Sequence, residues 1–251
     1  MRRVLLALVL GTAAASIPGA AAGGRLGLSA SPLRLSLRGS SAAAITVRNP
    51  GRKAVLVDVS RAGFARTLHG RPRVAPAGAS AGWLRFRPRR IRIAPGGRGV
   101  LHIRAVPPRR AAPGDHPALV LLTTKPRGVR HVRVRLRLGV IVVVHVRGRI
   151  VRGLDARRLT VARRGSQRLL ELRVVNRGNV TERLGGDRLR LALVRNGHSL
   201  GTLRPRQLEL LPHSAGIAMF VYRGPVRGLV QAKVELRPRA PGRSRWFRVR
   251  L

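Results

Sequence analysis

Apolar and polar positions alternate most clearly in the stretch 130–148, RHVRVRLRLGVIVVVHVRG. Val132, Val134, Leu136 and Leu138 fall on one side of an extended chain, and Arg133, Arg135 and Arg137 on the other. A period of two predicts a strand with one wet and one dry face. Residues 140–144, VIVVV, then run apolar without a break, which suits a strand buried on both faces. The stretch outlasts the usual strand of about 5–6 residues and sits mid-chain. It reads as the last strand of a first domain running directly into a second.

The rest of the chain is a succession of short strands and turns. Leu33, Leu35 and Leu37 alternate with Arg34, Ser36 and Arg38 before a turn at Gly39-Ser40-Ser41. Strands follow at 43–48, stopped by Asn49-Pro50-Gly51, and at 54–60, AVLVDVS. Residues 64–82 are rich in Gly, Pro and Ala and read as loop with at most a short edge strand. Further strands are expected at 83–88, 90–94, 99–105 and 118–123. The second half repeats the order: 159–162, 168–175 stopped by Asn176-Arg177-Gly178-Asn179, then 189–195, 208–211, 217–222, 228–236 and 244–251. Asn196-Gly197 is a dipeptide suited to a type I′ hairpin turn. Asn49 matches Asn176 and Pro95 matches Pro212, so two copies of one sandwich are expected. Turn signals every 8–12 residues without helical periodicity predict an all-β protein built of β-sandwiches.

Length agrees with two domains. The chain has 251 residues and 44% apolar composition, enough for real cores. Residues 1–22 combine Arg2 and Arg3, a short apolar run and Ala20-Ala21-Ala22, the pattern of a cleaved signal peptide. The expected division is a signal peptide at 1–22, a first domain at 23–147 and a second at 148–251. The protein is expected to be exported: periplasmic, cell-wall associated or secreted. No later segment is long and apolar enough to be a transmembrane helix in the mature chain. Cysteine is absent, which removes disulfides and thiolate metal sites.

Charge adds a class of partner. The net charge is +44, from 52 basic and 8 acidic residues, and all but three of the basic residues are arginine. The first domain holds 26 basic and 2 acidic residues, the second 24 and 6. Such a field attracts polyanions whatever its origin, and a GC-rich coding sequence would produce the same arginine excess. Specific nucleic-acid binding is not expected: aromatics are 3%, too few for stacking platforms, and the leader removes the chain from cellular nucleic acid.

Catalysis is not expected either. Eight carboxylates make a paired-acid hydrolase site or a carboxylate metal cage improbable. No HxH, HExxH, GxSxG, P-loop or dinucleotide fingerprint is present, and no cofactor is expected. Asp115-His116 is the one acid–histidine neighbour pair, and the surrounding Pro-Gly-Asp-His-Pro reads as a turn in which Asp115 bonds its own backbone. His145 is expected as a packed or edge histidine. Trp83 and Phe86, three apart on one strand, are expected on opposite faces, one of them in the core.

Four pieces of the first half resemble the first domain of periplasmic pilus-assembly chaperones, and the related chaperone-like domains of bacterial surface proteins. They are Ser31-Pro32-Leu33-Arg34-Leu35; Ile45-Thr46-Val47-Arg48-Asn49; WLRFRPRRIRIAPGG at 83–97; and the long strand at 131–147. Together they cover about 120 residues, in order. The resemblance implies two immunoglobulin-like domains joined by the long strand. It implies a function as well: lending a strand to an incomplete partner subunit through the alternating residues Val132, Val134, Leu136 and Leu138. It further implies that an arginine, here Arg34, holds the subunit's C-terminal carboxylate; the lysine that assists in the family falls near Val142. The expected partner is an envelope protein subunit. The alternative is a cationic structural protein associated with cell wall or peptidoglycan, binding an anionic wall polymer.

Overall fold

The computed structural model describes residues 27–126, 134–165, 167–237 and 243–251. The expected leader at 1–22 and Val132 lie outside them. The first sandwich contains β1 (Ser29–Ser31), β2 (Arg34–Arg38), β3 (Ala42–Arg48), β4 (Val55–Arg66), β5 (Pro72–Ala75), β6 (Leu84–Arg87), β7 (Arg90–Ile93), β8 (Arg98–Ala105), β9 (Gly114–Thr124) and β10 (Arg137–Val146). One sheet has the order β1-β3-β8-β6. The other runs β2-β10-β9-β4, with β5 and β7 both pairing with β4.

Strands β1 and β2 divide one extended stretch between the two sheets. β1 pairs antiparallel with β3, whereas β2 pairs parallel with β10. Pro32, which has no N–H to offer either ladder, sits at the crossing. Alternate residues of both sheets meet inside: Ile45, Val47, Leu101 and Ile103 face Val57, Val120, Leu122, Val140, Val142 and Val144, all buried. Each such side chain contributes about 1.5–3 kcal/mol when fully buried.

The second sandwich contains β11 (Leu154–Arg164), β12 (Gln167–Asn176), β13 (Glu182–Leu184), β14 (Leu189–Arg195), β15 (His198–Leu203), β16 (Leu208–Leu210), β17 (Ala215–Tyr222), β18 (Leu229–Leu236) and β19 (Arg243–Arg250). Its sheets are β11-β12-β17, the pair β13-β16, and β15-β14-β18-β19. Leu170, Leu172, Leu189, Leu191, Phe220 and Val234 fill the centre of its core. The protein is thus all-β with two immunoglobulin-like sandwiches in tandem. Asn196 and Gly197 take φ of 50° and 80°, the paired positive values of the expected hairpin turn.

Three local departures from the sequence pattern are seen, the first two with clear physical causes. β4 continues to Arg66 instead of stopping at Ser60, because Ala62 and Phe64 are buried on the sheet's outer side against Leu211 of the second sandwich. β11 begins five residues early: the ladder to β12 shifts register between Ala156 and Arg158, which breaks the alternation. Residues 79–82, expected as loop, form the short helix α1 (Ala79–Gly82).

The expected match of Asn49 with Asn176 holds in atomic detail. Asn49 is fully buried; its Nδ2 donates to the carbonyls of Lys53, Ile93 and Ala94, and its Oδ1 accepts from the Gly51 N–H. Asn176, equally buried, donates to Val180, Leu210 and Leu211 and accepts from Gly178. In each sandwich the last two carbonyls precede the matching proline, Pro95 or Pro212. One amide ties a strand end to a neighbouring turn by satisfying backbone groups that burial would otherwise orphan.

The sandwiches touch along the outer side of the second sheet. Ala62, Phe64, Leu119 and Leu121 pack on Leu211, with Ile141 at the border. Asp115 is a polar joint: its Oδ2 accepts from the Thr181 N–H at 2.7 Å, and its backbone N–H donates to the Asn179 carbonyl at 2.8 Å. The expectation of a local Asp115 turn is therefore corrected. Asp115 and His116 lie in β9, and Asp115 spends its carboxylate on the other domain and on His145, whose Nδ1 is 2.5 Å away. His116 instead lies against Trp83, ring centroids 4.6 Å apart. Trp83 and Phe86 both pack partly buried on the core, so the expected division between faces is not seen. Phe86 is on β6, whereas Trp83 precedes the strand and caps α1, so strand parity does not apply to it.

Candidate partner-binding edge

Strand β10 is paired along its whole length on one side, from Arg137 opposite Thr123 to Val146 opposite Gly114 of β9. On its other side β2 covers only the second half, from Ile141 opposite Arg34 to His145 opposite Arg38. Among the described residues no strand pairs with 137–140 on that side. The direction of each amide follows from strand parity. The Ile141 N–H donates to the Leu33 carbonyl, on the β2 side. Leu136 turns the other way: its N–H reaches Thr124 Oγ1 at 3.0 Å and its carbonyl accepts from the Thr124 N–H at 2.9 Å. Arg137 and Gly139 share the parity of Ile141, so their backbone groups face the open edge. An edge of this kind is a template for an added strand.

The alternating row continues the core face of β10 and then leaves the core. Val140, Val142 and Val144 are fully buried. Leu138 is half-buried on the end of the core, Leu136 is half-buried, and Val134 is 40% exposed. Apolar side chains thus run past the point where the sandwich stops covering them, beside backbone with free hydrogen-bonding capacity. Arg34 stands where β2 takes over the edge, directly opposite Ile141. Arg34 and Leu138 thus lie at one end of one sheet, with Leu136 and Val134 on the chain leading into it.

Sequence reasoning missed the acidic partner of Arg34. Its guanidinium lies 2.7 Å from Glu209 Oε1, and Arg66 holds the other carboxylate oxygen of the same residue. Glu209 is on β16 of the second sandwich and its side chain is 13% exposed, against 30% for Arg34. A carboxylate is thus held by Arg34, but it belongs to this chain. Nothing in the sequence around 209 distinguishes it; only the packing of the two sandwiches brings it to β2. Val142 is fully buried and offers no second cation.

The described residues include no group of three His, Asp or Glu able to hold a metal ion, and no helix long and apolar enough to cross a membrane. No family model and no curated protein matches this sequence. Solved structures do match its fold. A chain from the chaperone–tip adhesin complex of CFA/I fimbriae biogenesis superposes with a TM-score of 0.52 at 9% identity, covering 88% of this chain and 98% of that one. The class 5 fimbriae chaperone CfaA gives 0.50 at 10% identity, with 89% and 99% covered. Neighbours of this kind are pilus-assembly periplasmic chaperones, and at these identities the similarity concerns architecture. The chain has the two-domain immunoglobulin-like fold of the pilus-assembly chaperones.

Proposed function

We propose that this protein is an exported, non-catalytic binding protein of the cell envelope that holds a partner protein subunit by strand addition at the open edge of β10. The observation that carries this reading is the uncovered side of 137–140 beside the row Val134, Leu136 and Leu138. Backbone pairing supplies affinity in such a complex, and alternate side chains supply register. The fold neighbours support it, since one of them comes from a complex with a tip adhesin. On this reading residues 1–22 direct export, 23–147 carry the edge, and 148–251 form the second domain. The Arg34–Glu209 pair sits at the end of the edge, where a subunit's terminal carboxylate would compete with Glu209.

Two variants test it by separate routes. Gly139→Pro removes an N–H that faces the open edge and has no strand partner there, so it blocks strand addition without breaking the pairing to β9. Val134→Asp puts a charge where a subunit's apolar side chains would pack, at a position already exposed. Tagged wild-type protein from its native envelope is expected to co-purify with one stoichiometric subunit. Both variants lose that subunit while their thermal midpoints stay within about 3 °C of wild type, since surface substitutions change stability by about 0.5 kcal/mol. Full retention of the subunit by Gly139→Pro would sink the reading.

A further inference from the structure

The outer face of the β1-β3-β8-β6 sheet and the groove beside it carry a second feature, independent of the β10 edge. An open groove of about 1040 Å³ is lined by Arg61, Arg85, Arg87, Arg89, Arg104 and His102, with the half-buried Phe86 on its wall. No carboxylate lines it. All five arginines are exposed, and none enters an ion pair among the described residues. The first domain's two acids are already engaged: Asp58 by Arg90 at 2.7 Å and Asp115 by His145.

Within the groove the arginines oppose one another. Arg85 stands directly across the ladder from Arg104, and Arg87 from His102. Like charges in that relation destabilise a sheet, and a bound anion between them turns the repulsion into attraction. Opposed arginines occur elsewhere too, as at Arg48–Arg98 and Arg158–Arg173. What sets the groove apart is that three more guanidiniums converge on the same hollow. They form a close patch: Arg85 and Arg87 are two residues apart along β6, about 6.8 Å, and Arg104 lies across the ladder from Arg85, about 4.8 Å away. Arg61, whose guanidinium donates to the Leu84 carbonyl, and Arg89 line the same groove.

We infer that this groove binds a linear phosphate-bearing polyanion. A guanidinium takes a phosphate with two parallel N–H bonds, and five of them along one groove suit a chain that repeats the group. A single small anion would meet one or two of the five. A flat bilayer would not enter a concave groove, and the one large aliphatic side chain exposed at its rim, Val106, is too little to anchor in lipid.

The test uses fluorescently labelled short-chain inorganic polyphosphate and full-length mature protein at about 0.15 M salt. The triple variant Arg85→Gln/Arg87→Gln/Arg104→Gln is compared with Arg183→Gln/Arg195→Gln/Arg223→Gln, which removes the same charge from exposed positions of the second domain. The groove triple is expected to bind at least tenfold more weakly, and the control triple less than threefold. The slope of log K against log salt falls by about 2 in the groove triple, at about 0.7–0.9 per lost contact. Its thermal midpoint stays at or above wild type, because the Arg85–Arg104 opposition is relieved; the single Arg104→Gln, measured in parallel, gives the binding result if the triple is poorly folded. Equal losses in both triples mean that the net field alone binds, and overturn the inference. So does groove dependence that shows on phosphatidylglycerol vesicles and not on polyphosphate.

Discussion

The two sandwiches use the same internal fastening and differ in what they leave open. Asn49 and Asn176 make the same four hydrogen bonds at the same place in the fold. The second sandwich engages more of its arginines in ion pairs: Glu182, 1% exposed, holds both Arg152 and Arg188, and Asp155 lies among Arg157, Arg177 and Arg245. The first keeps an acid-free arginine groove and leaves 137–140 of β10 open on one side, beside apolar residues that continue its core face; the second, among the described residues, has open edges of its own at β15 and β19. The repeated part is what a sandwich needs in order to fold, whereas the unequal part has no structural need behind it. Function is therefore sought in the first sandwich, with the second as its support.

The largest expected effect tests the shared fastening. Asn49→Ala and Asn176→Ala each remove the donor to three carbonyls, all buried at Asn176 and two of them part-buried at Asn49, and the acceptor of one N–H, at about 1–3 kcal/mol per unsatisfied buried group before relaxation. Each is expected to destabilise its own sandwich by about 3–5 kcal/mol, read by chemical denaturation. Costs that differ by more than about 2 kcal/mol between the two sites would break the equivalence.

A smaller effect is expected where the sandwiches meet. Glu209→Gln weakens the pairs to Arg34 and Arg66 and leaves the apolar contact of Phe64, Leu121 and Leu211 intact. A loss of about 1–2 kcal/mol is expected, as for charge-assisted hydrogen bonds at a partly exposed site. Limited proteolysis between the sandwiches should quicken, and subunit affinity should rise if Arg34 is thereby released to a subunit's carboxylate. Unchanged proteolysis and affinity would mean that the pair is incidental.

The smallest effect concerns pH. Asp187 is held below the usual carboxylate range by its hydrogen bond from Arg190, by the Arg190 charge, and less by Arg204 and Arg237. A carboxylate lowered in the folded state adds stability above its unfolded value and loses it as pH falls through the folded one. Asp187 is 65% exposed, so solvent screens the effect. Asp187→Asn is expected to lower the thermal midpoint by about 1 °C near neutrality, with the difference vanishing below the ordinary carboxylate range. A difference that grows on acidification would contradict the assignment.

Much of this comparison was legible in the sequence, for identifiable reasons. Strict alternation marked β2, β3 and the start of β10, since each has one wet face. Residues 140–144 announced a doubly buried strand because the second sandwich covers part of the sheet's outer side. Asn49 and Asn176 could be paired by their turns. What stayed hidden depends on distance in space. Glu209 meets Arg34 only through domain packing, Asp115 reaches Thr181 across the joint, and the bulge in β11 disguised the pattern of Ala156 and Leu159. The arginine groove was invisible for the opposite reason: in a chain with 49 arginines, sequence alone cannot single out five. Of the expected site residues, Arg34 borders the open edge of β10 and Leu138 lies on it, Leu136 and Val134 lie on the chain leading into it, and Val132 lies outside the described residues.

Residue-resolved amide hydrogen exchange in the free protein tests the open edge most directly. Leu138 and Val140 direct their N–H groups to β9 and are expected to exchange slowly. Arg137 and Gly139 face the uncovered side and are expected to exchange at least a hundredfold faster, then to slow to the rate of their neighbours when a subunit is bound. That alternation would establish a half-paired strand waiting for a partner. Uniform protection from Arg137 to Val140 in the free protein would contradict it, because the edge would already be filled.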